Sequence, residues 1–493
     1  MGRTTSKIAL IAALSTIWPT FASSQQGGSG APATSTNPVG TTSVAAPAGT
    51  SSTLPNPNSG QQGGLQIDIG VSSTIKNDSN FQLTPGKTKG STQFLDNRLS
   101  FGVSSVTSAY SLNVVGTGDL RYSDIPGATS FGFEDPTLKF DFVADSANSR
   151  LTLNGQYRNV DRNFLNPFQV EQETQTLGQL VGSGGKLRNT KLGLKYETGL
   201  NDPLGFILDL KHDDKSYSGV VNPLIFDNLT DEAKATVLMR VNPVTSFNLN
   251  AGVKHYTATD LVQTDRTTTD YSIGVVYDIN PVLLMDAQIG YTDVKTDTIF
   301  GTVQRNGVVG SVSLTKTLAN GTIFGTLATT RNQLGARTNL SFGRDLQLLN
   351  GNLRGSFGLT RGSNGNSKTI GSLAYAYQLP SSTITVSFNR SASTNNSNQD
   401  ILNTRIGLGY NHLINNVSRV NVTLDFGRSE DVGSTGGPTI DLTNLDVSYS
   451  RDLTSDWSLT GGATLRKRTE TGLADAKSTA FYLTLGRNFS FRP

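Results

Sequence analysis

The sequence contains no cysteine and only three histidines. Without cysteine, the chain has no structural disulfide and no residue for a lipoprotein anchor. The histidines, His212, His255 and His412, lie far apart, and none belongs to an HExxH pattern of the kind that binds zinc. We therefore predict no enzymatic activity, no catalytic residue, no metal ligand and no cofactor.

Long apolar runs are also missing after residue 24. A membrane-spanning helix needs about 20 apolar residues, so none is expected there. Residues 1–24 combine Arg3 and Lys7 with the apolar run Ile8–Leu14 and small residues around Ala22, which predicts a secretory signal peptide. The formal net charge is only +3 and no basic stripe is present, so we expect no nucleic-acid partner.

Residues 25–64 contain neither a charged nor an aromatic side chain. They consist mostly of Gly, Ser, Thr, Ala, Asn, Gln and Pro, a composition that cannot bury enough apolar surface to offset the entropy cost of ordering the segment. We predict a flexible tail, either a spacer or a tether for a partner. The same polarity and shortness argue against a folded plug domain.

From Leu65 onwards, the chain alternates apolar and polar residues. In the last segment, Ser478–Phe491, the residues Phe481, Leu483 and Leu485 share one side, and those between them, apart from Tyr482, are small or polar. Because side chains alternate sides along a strand, one face of this strand is apolar and the other polar. The pattern returns about every twenty residues, as in a transmembrane β-barrel.

The connections between these segments alternate in length. Tight turns such as Asn201-Asp202-Pro203 and Asn280-Pro281-Val282 use residues that favour turns. The intervening connections are predicted to be longer and polar: Asn159–Leu187, Asp213–Glu232, Thr257–Thr269, Asp293–Gly307 and Ser429–Leu442. We therefore predict an all-β fold, an antiparallel transmembrane β-barrel over residues 65–493 with about 22 strands (range roughly 16–24) and no plug domain.

The signal peptide, the short turns, hairpin phrases such as Tyr277-Asp278-Ile279-Asn280-Pro281 and the aromatic-rich last strand together resemble Gram-negative outer-membrane β-barrel proteins. The resemblance covers roughly residues 65–493 and implies a location in the bacterial outer membrane, in contact with its lipid. One departure is the ending, since Arg492 and Pro493 follow the final aromatic residue, Phe491. The pattern also loosely resembles the barrels associated with exopolysaccharide export loci.

The polar side of each strand is predicted to line the lumen, because charged residues facing the lipid midplane cost about 2–4 kcal/mol. The last third of the chain has more arginine than acid on this side, which indicates either a preference for anions or charge pairs in a solvated lumen. The charged residues predicted to line the lumen are Lys211, Lys254, Arg354, Arg405, Arg419, Asp425, Asp446 and Arg466.

Three functions are compatible with this architecture. The leading hypothesis is a channel or conduit across the outer membrane for small solutes or glycans. The alternatives are an outer-membrane component of an exopolysaccharide export machine with periplasmic partners, and a structural or adhesive barrel that acts through its loops. Barrels of about 22 strands usually hold a plug domain. No plug domain is evident in this sequence, so the chain does not resemble a TonB-dependent transporter. Loop Gln169–Leu180 either folds inward as a constriction or covers the mouth.

Overall fold

The structure is a computed structural model that describes residues 64–85, 90–126, 128–164, 184–220, 222–223, 225–363, 365–394, 399–431 and 439–492. The predicted signal peptide, the tail except for Gly64, and loop residues 165–183 lie outside this part of the chain. The expectation that no plug domain is present also depends on residues outside it and stays a prediction.

Twenty-two β-strands and one short 3-10 helix make up the described chain. The helix, Arg162–Phe164, follows the fifth strand. No helix in these ranges is long and apolar enough to cross a membrane. The strands are β1 Gly64–Asp78, β2 Thr92–Val106, β3 Tyr110–Ile125, β4 Ala128–Asp145, β5 Ser149–Asp161, β6 Lys186–Thr198, β7 Leu204–Ser218, β8 Asn228–Asn242, β9 Thr245–Ala258, β10 Asp265–Asn280, β11 Leu283–Thr298, β12 Gly301–Leu318, β13 Gly321–Asn332, β14 Gly335–Leu348, β15 Gly351–Arg361, β16 Ser367–Gln378, β17 Ser382–Thr394, β18 Asp400–Asn415, β19 Ser418–Asp431, β20 Thr439–Asp452, β21 Trp457–Glu470 and β22 Ala476–Phe491.

The strands form one sheet in which each strand pairs antiparallel with its neighbours in sequence. The first and last strands also pair, from Ile67 opposite Phe491 to Asp78 opposite Ala480. This pairing closes the sheet into a barrel and leaves no edge. The predicted all-β antiparallel barrel of 22 strands is confirmed.

The two faces of the sheet differ in polarity and in exposure. On β20, Asp446 and Ser448 are 3% and 2% exposed, whereas Val447 and Tyr449 between and beside them are 42% and 43% exposed. The polar face is the concave inner wall of the barrel, and the apolar face is the outer wall. A continuous apolar outer wall on a closed barrel is what a lipid bilayer requires.

The two ends of the barrel differ in their connections. At the end that holds Gly64 and Phe491, which we call the turn end, the strands are joined by turns such as residues 243–244 and 281–282. The opposite end, the loop end, carries the connection between β1 and β2 and the connection between β5 and β6. Outer-membrane barrels place short turns and both termini in the periplasm.

Several loop-end connections are shorter than the sequence predicts. Thr257–Thr269 reduces to residues 259–264, and Asp293–Gly307 reduces to residues 299–300. These segments were expected to be loops because their apolar alternation stops. In the structure the backbone pairing continues through them, because the hydrogen bonds of a strand ladder do not require apolar side chains.

Two adjacent residues of β12, one on each wall, allow the assignment of the inner and outer faces to be tested. Val312→Arg would place a charge on the outer wall and is expected to lower the free energy of unfolding by about 2–4 kcal/mol. Ser313→Arg would place the same charge on the inner wall, opposite Asp286, and is expected to cost much less. Guanidinium titration in lipid vesicles measures both, and equal losses would contradict the assigned faces.

Candidate functional site

The strand register places all eight predicted lumen-lining residues on the inner wall. Four of them lie on adjacent strands β18–β21: Arg405, Asp425, Asp446 and Arg466. The other four are dispersed around the wall, Lys211 on β7, Lys254 on β9, Arg354 on β15 and Arg419 near the turn end of β19. The predicted set is therefore not a single site. One cluster lies on β18–β21, Lys211 and Lys254 flank Glu232 on β8, and Arg354 and Arg419 lie elsewhere on the wall.

Several of these charges have a partner of opposite sign. Arg466 Nη2 lies 2.6 Å from Asp78 Oδ2, and Arg419 Nη2 lies 3.6 Å from Asp452 Oδ1. Lys211 Nζ lies 3.7 Å from Glu232 Oε1 on the neighbouring strand. These pairs favour the interpretation in which the inner wall carries charge pairs in a solvated lumen, over a wall with an excess of free arginine.

Asp78, the last residue of β1, collects several donors at the loop end. Its side chain is fully buried and accepts hydrogen bonds from Arg466 Nη2 at 2.6 Å, from the Asn80 backbone N–H at 3.1 Å and from the Ser478 hydroxyl. Lys76 Nζ lies 3.5 Å away. We call Asp78, Arg466, Asn80 and Ser478 the Asp78 anchor. It ties the start of the first loop to β21 and β22.

The loop segment after Asp78 is held in a compact turn. The Asn80 side chain accepts a hydrogen bond from the Thr84 backbone N–H at 3.2 Å and donates to the Thr84 carbonyl at 3.1 Å. Leu83 has a φ of 47° and is only 4% exposed. Arg466 Nη2 also donates to the Phe81 carbonyl at 3.2 Å. These contacts direct the segment against the inner wall.

Three phenylalanines from different parts of the chain meet on the inner wall at the loop end. The ring of Phe81 lies 4.7 Å from that of Phe94 on β2 and 4.6 Å from that of Phe164 in the 3-10 helix. Phe94 and Phe164 are 5.6 Å apart. We call these three residues the aromatic cluster. It joins the loop after β1 to the segment after β5, so two loops meet inside the barrel.

A guanidinium group supports this cluster from the wall. Arg121 on β3 stacks on Phe164, with its Cζ 3.7 Å from the ring centroid. The same guanidinium donates to both oxygens of Asp96 at 2.6 and 3.1 Å. Beside it, Arg98 donates to both oxygens of Asp119 at 2.7 Å each. Bidentate pairs of this kind fix the planes of the groups they join, so Arg121 is oriented for stacking.

The arrangement places three aromatic rings together on one side of the inner wall. Phenylalanine rings on an otherwise polar wall stay packed because leaving the cluster would expose them to water. Among the described residues, no group of three or more His, Cys, Asp or Glu side chains is arranged to hold a metal ion. Sequence reasoning missed Phe81 and Phe164. The only signal was an aromatic residue within each of two polar connections.

Comparison with solved structures shows a shared barrel. The iron transporter FrpB of Neisseria meningitidis aligns with a TM-score of 0.57 at 8% identity, over 87% of this chain and 83% of that one. The ferric enterobactin receptor PfeA of Pseudomonas aeruginosa, in complex with enterobactin, aligns with a TM-score of 0.52 at 9% identity, over 87% and 82%. At such identities the likeness concerns the fold.

By sequence, the chain matches no protein-family model and none of the curated proteins. The fold is that of a Gram-negative outer-membrane β-barrel with the strand number of the siderophore receptors. The apolar outer wall and the fold comparison confirm the predicted location in the outer membrane.

The Asp78 anchor should contribute more to stability than an exposed pair. Asp78→Ala leaves Arg466 without its buried carboxylate and is expected to lower the free energy of unfolding by about 3 kcal/mol. As a control, Asp297→Ala removes the partner of Lys295 in the exposed part of β11 and should change stability little. Equal effects in a guanidinium titration would show that the anchor does not stabilise the fold.

Proposed function

We propose that the chain carries small solutes across the outer membrane through its lumen, and that it catalyses no reaction. The observation that supports this most is the inward-folded loop after β1. It is tied to the wall by the Asp78 anchor and packed into the aromatic cluster. A barrel that acted only as a support would have no use for loops held inside its own lumen.

The aromatic cluster is proposed to act as a constriction at the loop end. Phe164 lies near the start of the long connection between β5 and β6, and Phe81 lies in the connection between β1 and β2. Their contact couples the two connections, so a change in one is transmitted to the other. Loop Gln169–Leu180, predicted either to fold inward or to cover the mouth, lies outside the described residues. The proposed constriction involves Phe164, which precedes that loop in the chain, and Phe81 from the β1–β2 connection.

The inner wall and the fold both support the proposed solute class. The inner wall carries both signs of charge and many hydroxyl groups, such as the Ser356–Ser372 pair at 2.7 Å and the Ser313–Thr326 pair at 3.1 Å. Such a surface suits a small, hydrated, polar solute. Since similar barrels belong to an iron transporter and a ferric enterobactin receptor, a small iron complex is the class to test first. No described feature specifically favours polysaccharide export or adhesion.

Single-channel conductance in planar bilayers tests the constriction. Phe164→Ala and Phe81→Ala each remove a ring from the aromatic cluster and are expected to raise the conductance of the folded protein severalfold. Phe300→Ala is the matched control, because Phe300 lies at the tip of the β11–β12 hairpin and is 83% exposed. It should leave conductance unchanged.

Two outcomes would contradict the proposal. One is a folded wild type that stays silent together with both cluster variants. The other is an equal conductance in all four proteins. Uptake into proteoliposomes then compares ferric enterobactin with a maltooligosaccharide of similar mass. Preferential uptake of the iron complex supports the proposed solute class, and preferential uptake of the sugar replaces it with glycans.

A further inference from the structure

The outer wall carries an unusual set of charges near the turn end. Four basic residues lie on the apolar side of their strands: Lys316, Arg344, Arg451 and Arg487. Each is in register with an outward residue of a neighbouring strand, which is Leu283, Ile323, Leu459 and Trp457 in that order. In the turn-end halves of the described strands, no acidic side chain shares this surface, whereas acidic residues such as Asp293 and Asp441 occur on it near the loop end.

Arg487 is the member of this set that lies against two aromatic rings. Its Cζ lies 4.3 Å from the ring centroid of Phe489 and 5.2 Å from that of Trp457. Its neighbours in register are Trp457 on β21 and Val71 on β1, and neither offers a negative charge. In the described part of the chain, Arg487 Nε is enclosed and has no hydrogen-bond partner. The guanidinium is therefore oriented by rings and not neutralised by the protein.

The depth of Arg487 places it at the membrane surface. Trp457 is the first residue of β21, and Phe489 and Phe491 end β22. Aromatic residues in these positions form the belt at the boundary between hydrocarbon and headgroups. A charge at this level avoids the free-energy cost of a charged side chain at the bilayer midplane and reaches the layer where lipid phosphates lie.

A second arginine lies on the other side of β21. Arg451 on β20 is opposite Leu459, and Leu459 is opposite Leu485 on β22. Two strand spacings, about 10 Å, separate β20 from β22, and Arg451 is level with Leu485, two residues before Arg487. The apolar side chains of Leu459 and Leu485 lie between the two arginines and face the acyl chains.

We propose that Arg487, oriented by Trp457 and Phe489, binds the phosphate of a phospholipid in the periplasmic leaflet, with Arg451 as the second contact. Arginine pairs with phosphate through two parallel hydrogen bonds, and the rings fix the plane of the guanidinium for this geometry. The site lies outside the lumen and does not depend on which solute the barrel carries.

Native mass spectrometry of the full-length protein, released from detergent micelles, measures the lipid bound to each variant. Dioleoylphosphatidylglycerol is the probe, and dioleoylglycerol, which has the same chains without phosphate, is the lipid control. Arg487→Gln is expected to weaken binding of the phospholipid about tenfold, and Arg451→Gln by a smaller factor. Arg354→Gln makes the same change in net charge on the inner wall of β15 and should leave binding unchanged.

Arg487→Lys separates charge from geometry. It keeps the charge but loses the planar group that stacks and pairs with phosphate, so its binding should fall between that of the wild type and that of Arg487→Gln. The proposal is overturned if phospholipid binding is unchanged in both Arg487 variants while their heat-modifiability on electrophoresis shows that they are folded. Binding of dioleoylglycerol equal to that of the phospholipid also overturns it. Displacement of the lipid by millimolar inorganic phosphate would reassign the site to a free anion and also overturn it.

Discussion

The structure depends on one constraint, which is that every backbone N–H and C=O group within the lipid must find a partner in the protein. An open sheet cannot meet it, because its two edge strands would leave a row of unpaired groups in hydrocarbon. The pairing of β1 with β22, from Ile67–Phe491 to Asp78–Ala480, removes both edges. The alternation of side chains then follows, because each strand of a closed barrel has one face toward lipid and one toward the lumen.

The inner wall has a different problem. Its side chains are polar and lie in a solvated lumen, so they need partners to hold them in fixed positions. Cross-strand pairs solve it locally: Arg98 with Asp119, Arg121 with Asp96, and Arg466 with Asp78. Each pair joins neighbouring or nearby strands and restricts side chains that would otherwise move in solvent. The same groups position the loops, because Arg121 stacks on Phe164 and Arg466 donates to the Phe81 carbonyl. The wall and the constriction are therefore built from shared residues.

The barrel itself was predictable because its signal is local. Each segment needs only alternation and a turn to be predicted, and the predicted last strand, Ser478–Phe491, lies within β22, Ala476–Phe491. The strand ends toward the loop end were not predictable in this way, because β10–β12 continue as hairpins after the apolar residues stop. The aromatic cluster could not be predicted either. Phe81 and Phe164 meet only once β1–β5 are paired, and nothing in either segment specifies the other.

Contacts between residues far apart in sequence lie at the seam where the barrel closes. Asp78 and Arg466 are 388 residues apart in sequence, and they become neighbours only when β1 meets β22 beside β21. Arg487 packs against Trp457 on the outer side of the same seam.

Because closing a longer loop adds only a little entropy cost, about 0.6 kcal/mol for each doubling of length, the seam is not prohibitively expensive to form. It does depend on the register of the intervening strands, since a slip of one residue would turn a strand's apolar face inward. The buried ion pair at the seam therefore joins two strands whose alignment is set by the pairing of the sheet between them.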